Sequence, residues 1–103
     1  MRLNYSVDRH GGYAYLGDVF VSQCVIYPGV HGRTIGWHCN YNYKQRGFTK
    51  RLVKQVIKRN NIDELVCFIR CNNIASLNLA FSLGFRPFLE DKGVLWLRYK
   101  RRS

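Results

Sequence analysis

The chain has 103 residues, of which 47% are apolar; this is enough for one compact domain and too few for two. Lysine and arginine number 17 against six acidic residues, and the net charge of +11 favours anionic partners such as nucleic acid, a phosphorylated cofactor or an acidic protein. No secretory signal is visible, and the apolar stretch 19–27 is too short to span a membrane, so we expect a cytoplasmic protein without a membrane partner.

The first half of the chain predicts strands. Residues 3–7 alternate apolar with polar, 9–12 form a turn signal, and 13–16 and 19–27 are rich in aromatic and β-branched residues. Pro28-Gly29 ends that run. Residues 34–43 alternate again, which predicts a half-buried strand.

After Gly47 the hydrophobic period changes to that of a helix of roughly three turns, closed by Asn60-Asn61. Its apolar face consists of Phe48, Leu52, Val53, Val56 and Ile57. Its opposite face is cationic and consists of Lys50, Arg51, Lys54, Lys58 and Arg59.

The second half adds a strand at 64–70, a helix at about 74–83 capped by Asn72 or Asn73, and a hairpin of 86–90 with 94–100. Gly84 ends the second helix. We therefore predict one α/β (α+β) domain over residues 1–100, with a mixed, mainly antiparallel sheet and two helices, and a basic tail at 101–103.

Metal binding is not expected from the four cysteines, Cys24, Cys39, Cys67 and Cys71, because they form no CxxC pair. In a strand, the Cα atoms of Cys67 and Cys71 would be roughly 13 Å apart, too far for a disulfide or a shared metal. We expect buried free thiols.

The junction of strand 34–43 with the first helix has the features of an anion-binding site. Backbone N–H groups at a helix N-terminus attract phosphate; Gly47 allows close approach, and Lys44, Arg46 and Lys50 add positive charge. The single glycine matches neither the Walker pattern nor GxGxxG, so by spacing alone a solvated basic face is the better explanation of the stretch.

Two segments resemble the GNAT family of N-acetyltransferases. Residues 43–52 (YKQRGFTKRL) are similar to its acetyl-CoA pyrophosphate loop, Q/R-x-x-G-x-G/A, with Lys44, Gly47 and Thr49 at the patterned places. Residues 73–85 (NIASLNLAFSLGF) are similar to its N-x-A-S-x-x-L-Y-x-K-L-G-F, in the expected order. The resemblance covers residues 34–100. The chain looks like the short, degenerate members of the family that bacteriophages encode. For such a member the host cytoplasm is the expected location.

The resemblance implies a minimal acyl-CoA N-acyltransferase-like fold, acetyl-CoA as cofactor, and acetyl transfer to an amine, on a protein lysine or another macromolecule. Backbone groups around a splay at Cys39, Asn40 and Tyr41 would polarise the thioester carbonyl. The implied phosphate contacts are Lys44, Gln45, Arg46, Gly47, Phe48, Thr49 and Lys50. Asn73 is a further implied contact, although capping the second helix explains it equally well.

Two residues are candidates for the general base that accepts the acceptor's proton. His38 lies on the splayed strand and is of a type that titrates near neutral pH, but a structural histidine is the plainer interpretation. Glu64 is the alternative base, although a solvated or ion-paired carboxylate is its plainer interpretation. Ala80 stands where the family often has a tyrosine that protonates the leaving thiolate.

The competing hypothesis is a catalytically inactive GNAT-like module that binds nucleic acid or an acidic protein. Its contacts would be Lys50, Arg51, Lys54, Lys58 and Arg59, unless these form only a solvated face. Trp37, Trp96 and Tyr99 could stack on bases, although burial accounts for them as well. A homodimer that completes the substrate groove is also consistent with so short a chain.

Overall fold

A computed structural model describes residues 2–44 and 46–102. The strands are β1 (Leu3–Asp8), β2 (Gly11–Leu16), β3 (Val19–Gly29), β4 (Gly32–Cys39), β5 (Glu64–Arg70), β6 (Arg86–Asp91) and β7 (Val94–Lys100). The helices are α1 (Phe48–Arg59), α2 (Ile74–Ser82) and a 3-10 turn at Tyr41–Tyr43. Among the described residues, no helix is long and apolar enough to cross a membrane.

One seven-stranded sheet has the order β1-β2-β3-β4-β5-β7-β6. Every neighbouring pair is antiparallel except β4 and β5, which are joined through α1 and run parallel. The predicted fold class, a mixed and mainly antiparallel sheet with two helices, is confirmed.

Both helices cover the same face of the sheet. Leu52, Val53 and Val56 of α1 and Leu77 and Ala80 of α2 belong to one buried cluster. The strand members of that cluster share a face through their register, and they are Ala14, Cys24, Ile26, Ile35, Leu65, Cys67, Ile69 and Leu97. The apolar stripe predicted for the first helix therefore packs on the sheet.

The other face of the sheet has no helix on it in the part of the chain that the structure describes. We call it the open face. It is formed by the intervening strand positions, which include Tyr13, Gln23, Val25, Tyr27, Gly36, His38, Phe68, Arg70, Trp96 and Arg98.

Strand β4 is shorter than predicted. The alternating pattern of 34–43 suggested one strand, but β4 ends at Cys39 and a 3-10 turn follows. The side chain of Asn40 causes this change, because its Oδ1 accepts from Asn42 N at 3.2 Å and its Nδ2 donates to Phe20 O at 2.8 Å. The chain is thereby turned out of the sheet before Tyr41.

Strand β3 is longer than predicted, since it includes Pro28 and Gly29. Pro28 opposes Arg33 at a position where the strands exchange no hydrogen bonds, so the missing N–H costs the ladder nothing.

The cysteine prediction holds only in part. All four thiols are free, but Cys24 and Cys67 are buried, Cys39 is half-buried and Cys71 is exposed.

Candidate active site

A slot separates β4 from β5. The two strands pair only at Thr34 and Val66 and then diverge toward their C-terminal ends. Along an antiparallel ladder, residue pairs that exchange backbone hydrogen bonds alternate with pairs that do not. Asn40 N donates to Val21 O at 2.7 Å, and this bond shows which pairs of the β3–β4 ladder are hydrogen-bonded. By that alternation the N–H and C=O groups of Trp37 and Cys39 point away from β3 and into the slot.

The other wall of the slot presents the same kind of groups. Cys71 N donates to Gly93 O at 2.9 Å, which fixes the alternation between β5 and β7. The backbone groups of Phe68 and Arg70 therefore face β4 across the slot. Two strand edges with unpaired donors and acceptors can bind an extended, amide-containing chain laid between them, as a sheet edge binds a peptide.

The slot passes through the sheet. Its cavity of about 420 Å³ is lined by Ile35 and Trp37 from the helix-covered face and by Gly36 and Phe68 from the open face. Asn73 and Ser76, at the start of α2, close it on the helix side. A group held in the slot can thus be reached from the open face.

A second cavity of about 350 Å³ lies at the N-terminus of α1. Its lining includes His38, Cys39, Gly47 and Lys50, and it shares Trp37, Asn73 and Ser76 with the slot. Because three residues line both cavities, they are adjacent parts of one cleft. The cleft connects the helix N-terminus with the space between the strands.

Gly47 begins α1 in a conformation suited to an anion site. Its φ is +77°, in the left-handed region, and no side chain of the described residues caps the helix. A Cβ at Gly47 would meet no atom within 4 Å, so the requirement for glycine comes from the backbone angle and the protein leaves the approach open. The first-turn N–H groups therefore remain available to a ligand.

Thr49 lines this cavity, but its hydroxyl is bonded to the sheet. It is buried, and its Oγ1 lies 2.8 Å from Ser22 Oγ in β3. Ser22 Oγ in turn donates to His38 O at 2.9 Å. The side chain that the sequence places at a usually small position of the loop thus ties the start of α1 to β3 and β4.

The cations of the loop stack on aromatic rings. Lys44 Nζ lies 5.2 Å from the centroid of the Tyr41 ring, and the guanidinium of Arg46 lies 5.6 Å from that of Tyr43. Lys44, Phe48 and Lys50 line the cavity, whereas Arg46 and Tyr41 do not. Gln45, also predicted to contact the cofactor, lies outside the described residues.

Asn40 is not free to polarise a carbonyl. Its backbone N–H is bonded to Val21 O, its side-chain Oδ1 accepts from Asn42 N in the 3-10 turn, and its Nδ2 donates to Phe20 O in β3. Trp37 and Cys39 provide the backbone N–H groups that face the slot instead. Asn73 caps α2 as predicted, because its Oδ1 accepts from Ser76 N at 3.2 Å, and the residue also lines both cavities. Its contact with a cofactor stays a prediction.

The two candidate bases are placed very differently. His38 is exposed on the open face and lines the α1 cavity. Glu64 begins β5, at the end where β4 and β5 are paired, and lies outside both cavities. Its Oε1 is 3.0 Å from Arg98 Nε, in an ion pair that lacks hydrogen-bond geometry. The structure does not bring Glu64 to the cleft.

The cationic stripe on α1 lies away from the sheet. Arg51, Lys54, Lys58 and Arg59 are exposed, and Lys50 is half-buried at the cavity. The binding of nucleic acid or an acidic protein by this stripe stays a prediction.

Two residues of the cleft, Trp37 and Ser76, and one residue that supports it, Ser22, were not predicted from the sequence to belong to the site. Trp37 appeared only as an aromatic that is buried or stacks on bases, and Ser76 only as a letter of the second motif. The alternation of 34–39 could have indicated Trp37, because it shares the face of Cys39. No local signal indicates Ser22, whose partner is 27 positions away.

The sequence matches no family model and no curated protein. Solved structures do match. PH1933 from Pyrococcus horikoshii has a TM-score of 0.77 at 15% identity, over 91% of this chain and 66% of that one. The putative acetyltransferase yncA from Salmonella typhimurium, with its cofactor acetyl-CoA, has a TM-score of 0.72 at 15% identity, over 87% and 63%.

A third match is the N-acetyltransferase PseH from Campylobacter jejuni in complex with acetyl coenzyme A, with a TM-score of 0.72 at 18% identity, over 92% of this chain and 71% of that one. The chain spans slightly less than two thirds of the length of the first two matches. At these identities the likeness concerns architecture. The chain has the fold of the GNAT acyltransferases.

Proposed function

We propose that the protein is an acetyl-CoA-dependent N-acetyltransferase that acts on an amine of a macromolecule, with a protein lysine as the leading acceptor. The observation that carries the proposal is the continuity of the cleft. A helix N-terminus that no described side chain caps opens directly into a slot between strand edges that are not paired with each other. Two similar structures, yncA and PseH, were determined with acetyl-CoA, which supports this ligand.

The residues present fit the two chemical parts of acetyl-CoA. Gly47 and the first-turn N–H groups of α1 suit a pyrophosphate, with Lys44 and Lys50 supplying positive charge. The slot suits the amide-containing arm that ends in the thioester, because Trp37, Cys39, Phe68 and Arg70 offer backbone donors and acceptors to it. Acetyl-CoA supplies the activated acetyl group.

The chain supplies three functions to the transfer. The N–H groups of Trp37 and Cys39 stabilise negative charge on the carbonyl oxygen while the amine nitrogen forms its bond to the carbonyl carbon. His38, on the open face, accepts the proton that the amine loses, directly or through water. The C–S bond then breaks and the sulfur takes a proton.

Ser76 is our candidate donor of that last proton. Ala80 is fully buried and has no proton to give. Ser76 lies one helical turn earlier on α2 and lines both cavities, so its hydroxyl faces the region where the thiolate leaves. Water relayed through this hydroxyl would serve the same purpose.

The remaining predictions belong to this proposal as expectations. They are a cytoplasmic location, a bacteriophage source and completion of the acceptor groove by a dimer. The charge of +11 favours an acceptor with acidic surroundings.

A thermal-shift experiment tests the proposal. Acetyl-CoA or CoA at millimolar concentration should raise the melting temperature by several degrees, as ligand at roughly 100 times its Kd adds about 2.7 kcal/mol to the free energy of unfolding. Gly47→Trp should abolish the shift by filling the approach to α1. Gly93→Trp is the matched control, because Gly93 has a φ of +80° and equally open surroundings in the β6–β7 turn. An unchanged melting temperature of the native protein at millimolar CoA would overturn the proposal.

A further inference from the structure

The open face of the sheet carries aromatic side chains on four neighbouring or near-neighbouring strands. Tyr13 on β2 is 45% exposed, Tyr27 on β3 is 39% exposed and Phe68 on β5 is 50% exposed. Trp96 on β7 is half-buried and packs against Phe68 with ring centroids 5.0 Å apart. Tyr13, Tyr27 and Phe68 are too exposed to be explained as core, and no described helix lies over them. The Trp96 ring is also contacted by His31 of the β3–β4 turn, with ring centroids 4.5 Å apart.

Polar and cationic groups separate the rings. Gln23 and His38 lie opposite one another between Tyr13 and the slot, and Arg70 is exposed two positions beyond Phe68 on the same face. Arg98 lies on the same face, 4.3 Å from the Phe88 ring centroid. The carboxylates on this face lie at its edges or in an ion pair. Asp8 and Asp91 are at the ends of outer strands, and Glu64 is paired with Arg98.

We propose that the open face binds single-stranded nucleic acid, with bases stacked on Tyr13, Tyr27 and Phe68. A basic surface carrying separated, half-exposed rings is the arrangement on which unpaired bases stack while cations contact the phosphates. The polar groups between the rings are hydrogen-bond partners for base edges. This surface is distinct from the cationic stripe of α1, which lies on the other side of the molecule.

Two other occupants fit the face less well. A second copy stacked over the rings would bring another charge of +11 against the same surface, which opposes association through this face. An acidic polypeptide would engage Arg70 and Arg98 but would leave most of the ring area without a planar partner. Binding of nucleic acid here does not depend on the proposed acetyl transfer, so either can fail without the other.

Fluorescence anisotropy of a labelled single strand of roughly 12 thymidines measures the affinity directly. Tyr27→Ala and Phe68→Ala should each weaken binding by roughly 5- to 100-fold, the range for loss of one stacked base. Phe81→Ala is the matched control, since Phe81 is 39% exposed on α2, on the opposite side of the sheet. Affinity should fall steeply with added salt.

A second readout does not require the ring variants to fold. In a Trp37→Phe protein the remaining tryptophan is Trp96, and the single strand should quench its emission as a base stacks on the adjacent Phe68. The proposal is overturned if the strand leaves Trp96 emission unchanged, if Phe81→Ala weakens binding as much as Phe68→Ala, or if Lys50→Glu/Lys54→Glu/Lys58→Glu abolishes binding that the ring variants leave intact. Equal competition by a poly-glutamate peptide, or burial of the face in a dimer seen by sedimentation, also overturns it.

Discussion

Ser22 and Thr49 share a buried hydrogen bond of 2.8 Å that joins β3 to the first turn of α1. Ser22 Oγ donates its single hydrogen to His38 O, so in the bond between the two hydroxyls Thr49 is the donor and Ser22 the acceptor. The pair therefore connects three elements beside the cleft. It fixes the helix N-terminus relative to the strand that carries Trp37, His38 and Cys39.

Thr49→Val should destabilise the protein and weaken CoA binding together. The change removes the donor while keeping the shape, and the lost hydrogen bond should lower the free energy of unfolding by about 1 to 3 kcal/mol. Urea unfolding measures the stability and calorimetry the CoA affinity. In a cycle with Ser22→Ala, the double variant should lose less than the sum of the single variants. Full additivity would show that the two hydroxyls do not act as a pair.

Gly47→Ala and Gly93→Ala should cost similar stability but differ in function. Each places an alanine in the left-handed region, at φ +77° and +80°, which costs about 1 to 2 kcal/mol. Because only Gly47 faces the cleft, only its variant should lose CoA affinity. A loss of affinity in Gly93→Ala equal to that in Gly47→Ala would remove the special role of the α1 N-terminus.

His38→Gln should lower the acetyl-transfer rate by roughly 10²- to 10⁴-fold, as loss of a general base does. CoA should still raise the melting temperature of this variant. Glu64→Gln is the control and should transfer at the native rate, because Glu64 lies at the other end of β5. A native transfer rate in His38→Gln would exclude histidine as the base.

Alkaline pH should destabilise the protein through its buried thiols. Burial raises the pKa of Cys24 from 9.0 to about 11 and that of Cys67 from 9.0 to about 12. The unfolded chain therefore loses these protons first. The stabilisation is complete below pH 9 and is lost as pH rises through 11 and 12, by up to about 1.4 kcal/mol per pH unit for each thiol.

Urea unfolding at a series of pH values from 8 to 10.5 tests this slope. Cys67→Ala should lower the stability at pH 8 through lost packing but should flatten the decline above pH 9. At pH 8 the exposed Cys71 should react with iodoacetamide in the native state, whereas Cys24 and Cys67 should react only on unfolding. Rapid alkylation of all four thiols in the folded protein would contradict the burial.

The elements with a clear period or turn chemistry could be predicted from sequence. The apolar stripe of α1, the Asn73 cap and the β6–β7 hairpin depend on neighbours within a few residues. The end of β4 could not be predicted, because Asn40 reaches back to Phe20 O and so overrides the alternation. The position of Glu64 relative to the cleft likewise depends on where β4 and β5 pair.

The cleft was predicted in outline and not in detail. The glycine turn and the Asn73 segment indicated which loops meet, but the groups facing the slot follow from the hydrogen-bond alternation of two ladders, fixed by Asn40 and Cys71. Which face of the sheet the helices cover also depends on long-range packing. The alternation in β3 and β5 shows two faces without showing that Phe68 lies on the open one.

Amide hydrogen exchange with and without acetyl-CoA tests the central claim most directly, that the ligand lies between β4 and β5. The amides of Trp37, Cys39, Phe68 and Arg70 face the slot and should exchange quickly in the free protein and slowly in the complex. Gly36 and His38 donate to β3 and should be protected in both states. If acetyl-CoA leaves the exchange rates of these four amides unchanged, the ligand does not lie between β4 and β5.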